Sequence, residues 1–100
     1  MVKPETPRRR RRAGLKRLAD LLDELREFGE LREPRPAEFE FESSPFLHFH
    51  YRADGTIVAD VRLSNRRFIP FDVSEEAGQQ EVLAAIERHL ESRRGGKPAR

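Results

Sequence analysis

The sequence predicts an α+β domain: a two-layer α/β sandwich with order α-β-β-β-β-α, a four-stranded antiparallel meander covered on one face by two helices. Three observations carry this prediction. Apolar residues recur at helical spacing near both ends of the chain, they alternate at period two between 38 and 73, and turn-forming residues separate the segments. One hundred residues hold one core of this kind, so 13–92 is read as a single domain between basic, disordered tails at 1–12 and 93–100.

The first helix is expected over 13–28. Leu15, Leu18, Leu22 and Leu25 form an apolar stripe that Leu21 and Phe28 widen. Lys16 with Asp20, and Arg26 with Glu30, stand four apart as candidate ion pairs, and Gly29 is a natural stop. The second helix follows Ser74, a candidate N-cap, with Glu75 and Glu76 in its first turn and Val82, Leu83, Ile86 and Leu90 as its stripe. His89 reads as a cation at the end of this helix, and Gly78 inside it as a glycine that permits close approach.

Hairpin phasing sets the strands. A three-residue loop Ala53-Asp54-Gly55 with Gly55 left-handed pairs Leu47 with Val61, Phe49 with Ala59 and Tyr51 with Ile57. A two-residue loop would shift the register by one and turn His48 and His50 toward the apolar side. Treating Ser43-Ser44-Pro45 as a loop pairs Phe41 with Leu47. Treating Ser64-Asn65-Arg66 as a loop pairs Val61 with Ile69 and Ala59 with Phe71. Pro70 then requires the last strand to be an edge.

These registers also define the outward face. Phe46, His48, His50, Val58, Arg62 and Phe68 gather there with Glu38, Glu40, Glu42 and Asp60. Aromatic and branched side chains beside imidazoles make it a candidate contact surface for a protein partner or a second copy of the chain. Base stacking on this face is disfavoured, because its carboxylates outnumber Arg62. His48, His50, Glu40 and Asp60 are candidate zinc ligands, since His-x-His with neighbouring carboxylates supplies imidazole and carboxylate donors. The default reading of the same residues is a solvated ladder of mutually neutralising groups. With no cysteine, neither a disulfide nor a thiolate metal site can form.

The net charge of +2 hides a segregation: 1–12 sums to +5, 93–100 to +4 and 13–92 to −7. Arg8, Arg9, Arg10, Arg11 and Arg12 therefore form the candidate nucleic-acid contact, through the tail rather than the body. The helix–strands–helix order is similar to that of the double-stranded RNA-binding domain once the fourth strand is discounted. The last helix here opens with DVSEEAGQQE where that domain carries lysines, so its function does not transfer. Secretory-signal and membrane-span patterns are missing, which implies a cytoplasmic protein. No GxGxxG, P-loop, HExxH or EF-hand loop is present, and no resident cofactor beyond zinc is expected. The sequence thus predicts a non-enzymatic interaction module using the outer sheet face. A nucleic-acid accessory protein and a metal-binding protein are its alternatives.

Overall fold

The computed structural model describes residues 6–64 and 67–94. An α+β fold results, with α1 (Pro7–Arg17), α2 (Ala19–Arg26), β1 (Leu31–Arg35), β2 (Glu38–Phe41), β3 (Ser44–Tyr51), β4 (Ile57–Ser64), β5 (Arg67–Asp72) and α3 (Glu76–Arg94). The strands form one antiparallel sheet in chain order.

The first helix starts at Pro7 rather than Ala13, so the five arginines expected in a disordered tail are helical. Its start has a local cause. The Oγ1 of Thr6 accepts the Arg9 N–H at 3.2 Å, and Pro7 occupies the first turn, where its missing N–H costs nothing. At Leu18 the backbone leaves helical geometry (φ −97°, ψ 6°), dividing the helix in two. That break lets α1 follow β3 while α2 packs on β1 and α3. At the other end, Arg93 and Arg94 belong to α3 and not to a tail; 1–5 and 95–100 lie outside the described residues.

The sheet has five strands where the sequence predicts four. The additional strand, β1, pairs Leu31 with Phe41 and Arg32 with Glu40. Leu-Arg-Glu-Pro-Arg has no alternating apolar pattern, but an edge strand bonds on one side only and tolerates Pro34. The registers of β3 with β4 and of β4 with β5 follow the predicted pairs: Leu47 with Val61, Phe49 with Ala59, Tyr51 with Ile57, Val61 with Ile69, Ala59 with Phe71. Gly55 is left-handed (φ 89°), as its loop requires. The predicted loop after Ser64 includes residues 65 and 66, which lie outside the described residues.

The β2–β3 hairpin differs from expectation. Glu42 and Ser43, at φ 54° and 65°, make a tight two-residue turn, and Ser44 pairs with Phe41. Further along, Phe39 pairs with Leu47 and Glu40 with Pro45, so Phe46 is an extra residue inserted by a β-bulge. The bulge breaks the alternation and buries Phe46 and Leu47 together. Phe46 therefore lies in the core, fully buried, and not on the outer face.

One cluster of buried side chains joins the layers: Leu18, Leu21, Leu22 and Leu25 from the first two helices, Val82, Ile86 and Leu90 from α3, and Phe39, Phe41, Leu47, Ile57, Ala59 and Val61 from the sheet. Two glycines set the approach distances. A Cβ on Gly14 would lie 2.2 Å from the Tyr51 ring, and one on Gly78 would lie 1.9 Å from the Asp72 carbonyl oxygen. Ser74 does not cap α3 as expected; its Oγ accepts the Ile57 N–H at 2.9 Å, tying the end of β5 to the start of β4.

Candidate functional site

Two surfaces carry groups that can bind. The first lies on the outer sheet face. His48 and His50 are two apart on β3, so both side chains leave the same side of the sheet, and Asp60 stands directly opposite His48 on β4. Both imidazoles aim Nε2 at one carboxylate oxygen: Asp60 Oδ2 lies 2.7 Å from His50 Nε2 and 3.4 Å from His48 Nε2. The two rings meet edge to face at 4.9 Å, and Phe68 backs His48 at 5.2 Å. The candidate ligand atoms of His48, His50 and Asp60 lie within 4.8 Å of one another.

Glu40, the fourth expected ligand, is not part of this group. The bulge sets Pro45 opposite Glu40, so the expected row Glu40–His48–Asp60 loses its first member. The expected contact face contracts in the same way. Phe46 is in the core and Val58 is only 8% exposed, which leaves His48, His50, Arg62 and Phe68 accessible.

The second surface is α1. Its eleven residues hold seven cations and no acid. At about 100° per residue, Arg8, Arg9, Arg11, Arg12 and Lys16 fall on roughly one half of the helix, and Arg10 and Arg17 on the other. The inner pair is used structurally. Arg10 donates to the Tyr51 carbonyl at 3.5 Å, and Arg17 donates to the carbonyls of Gly55 at 2.7 Å and Ser74 at 2.9 Å. The outer five are exposed. A groove of about 300 Å³ separates the start of α1 from the sheet, lined by Arg10 and Arg11 on one side and by Glu38, His48 and His50 on the other.

Other cations are held by internal carboxylates. Arg26 forms two bonds to Glu33, at 2.7 and 2.9 Å, and holds its carboxyl below the ordinary range. Arg93 meets Glu42 at 2.6 Å, and Arg94 meets Glu30, whose carboxyl is likewise lowered by the contact. These pairs replace the expected Arg26–Glu30 contact. A larger concavity of about 710 Å³ runs between α2 and the start of α3; Asp20, Asp23, Glu24, Glu27, Glu75 and Glu76 line it. Arg17 also lines this concavity, through its bond to the Ser74 carbonyl, so its excess of carboxylates borders the basic helix directly.

His89 is not the solvated cation its position suggests. It packs against Phe46 and Phe41, with ring centroids 5.6 and 5.9 Å away. Burial is the main cause that lowers its pKa, and the charge of Arg93 adds to it, against a hydrogen bond to the Leu63 carbonyl. Neither this cluster nor the two-sided sorting of α1 is expected from the sequence alone. For α1 the signal was available in Thr6-Pro7, a cap followed by a first-turn proline.

No family model, curated protein or solved structure matches this chain. Function rests on the site geometry itself.

Proposed function

We propose that the protein is a non-enzymatic binding module that engages the phosphate backbone of nucleic acid through α1. The observation that carries this reading is the sorting of cations on that helix. Arg10 and Arg17 anchor it to backbone carbonyls, and five exposed cations remain on the outer half. Those cations oppose the fold locally. Like charges at i,i+3 and i,i+4 repel, and the helix N-terminus is itself positive, each effect costing about 0.2–1 kcal/mol. A polyanion removes this repulsion and releases its own condensed counterions on contact. The acidic groove between α2 and α3 orients the encounter, since it repels phosphate while α1 attracts it.

Duplex DNA titrated with the full chain at low salt tests this reading. Exchanging Arg8, Arg9, Arg11 and Arg12 for Gln should abolish binding, with helix content retained; equal binding by that variant refutes it.

A second reading, contact with a protein partner through the outer face, keeps one specific support. Phe68, on edge strand β5, stays 39% exposed on that face, while its exposed neighbour Ile69, opposite Val61, points to the other side of the sheet. Light scattering and partner capture with Phe68→Ser test it, and an unchanged outcome removes it.

A further inference from the structure

We infer that His48, His50 and Asp60 form a binding site for a divalent transition-metal ion, with zinc the ion its donors suit best. The site is independent of the reading of α1.

The sheet builds the donor set. One strand supplies both imidazoles from the same face, and the neighbouring strand supplies the carboxylate at the ladder position facing His48. The two Nε2 atoms already converge on one point, the Oδ2 of Asp60. A tetrahedral zinc with bonds of about 2.0–2.1 Å keeps its ligand atoms about 3.3–3.4 Å apart. The His48–Asp60 separation of 3.4 Å matches that spacing, and the His50–Asp60 separation of 2.7 Å needs a small opening. The three donor atoms lie within 4.8 Å of one another, a wider bound than the tetrahedral spacing, so side chains must turn toward a shared ion for all three to bind it.

Donor chemistry narrows the ion. Two imidazoles and one carboxylate suit zinc and its first-row neighbours, whereas magnesium and calcium prefer oxygen ligands throughout. His48 and His50 are 39% and 54% exposed, so an ion can enter from solvent and keeps at least one coordination position open to it. Phe68 packs against His48 at 5.2 Å, which leaves most of the adjustment to the more exposed His50.

The test is calorimetric titration of the full chain, made without a histidine tag, with zinc chloride and separately with magnesium chloride. One zinc per chain and no magnesium binding are expected. His50→Gln and Asp60→Asn should each weaken zinc binding at least about 10-fold, since even loss of a supporting outer residue costs about 10–100-fold at metal sites. Cobalt should give the visible absorption of a tetrahedral or five-coordinate ion in the wild type and lose it in both variants. Circular dichroism establishes that the variants are folded, and His50 is exposed enough for its replacement to be tolerated. Sub-stoichiometric zinc, magnesium binding as tight as zinc, or zinc affinity unchanged in folded His50→Gln would each overturn the site.

Discussion

The ring of Phe46 lies 5.6 Å from the imidazole of His89, tilted by 33°, in the core between β3 and α3. A single inserted residue in β3 produces this contact and at the same time removes Phe46 from the outer face and Glu40 from the histidine cluster. Truncation therefore has a large expected effect. Phe46→Ala should cost about 3–5 kcal/mol, the range for a deleted buried aromatic ring, as measured by urea unfolding. A loss below about 0.5 kcal/mol, typical of a surface substitution, would place Phe46 outside the core.

His89 makes stability depend on pH. Its folded pKa is below the ordinary 6.5 because burial disfavours the imidazolium. The unfolded chain thus takes up a proton before the native one as pH falls below about 6.5. The contribution is complete above that pH and is lost as pH drops toward the folded value. Glu30 and Glu33, both lowered by arginine partners, add a second loss below 4.5. His89→Gln should flatten the first window and leave the second, read as unfolding midpoints across pH.

Gly78→Ala should destabilise the fold although alanine is the better helix former. The new methyl would sit 1.9 Å from the Asp72 carbonyl oxygen. The helix gains about 1 kcal/mol and overpacking costs about 1–3 kcal/mol, so the balance is a loss. A raised melting temperature would contradict this close approach of α3 to β5.

Ser43→Gly should not destabilise the fold. Ser43 has φ 65° in an exposed turn, a conformation that costs a non-glycine residue about 1 kcal/mol. Glycine's extra unfolded-state freedom offsets about 0.5–1 kcal/mol of that relief, so thermal unfolding should show at most a small gain, and a clear loss would count against the tight turn.

How far the sequence revealed this structure depended on where two local signals agreed. At Ala53-Asp54-Gly55 the turn residues and the alternation of Leu47, Phe49 and Tyr51 demand the same register, and the structure adopts it. At Ser43-Ser44-Pro45 only the alternation speaks, and a bulge is invisible to alternation, so the sequence puts Phe46 on the outer face and Glu40 beside His48 where the structure does not. Strand β1 left no apolar trace beyond Leu31, because an edge with Pro34 and three charges needs none. The run Arg8 to Arg12 has the composition of a disordered segment. Tertiary anchoring of Arg10 and Arg17 on backbone carbonyls goes with its helical form, and no sequence window contains those partners. The pairing of His48 with Asp60 is legible because it lies in the hairpin whose phasing both signals determine.

The proposed role of α1 is tested most directly by the salt dependence of DNA binding by the full chain. Four to five outward cations on phosphates predict that log K falls against log salt with a slope of about −4, from −0.9 per phosphate on duplex DNA. A slope near zero, or no binding at about 50 mM salt, would contradict it.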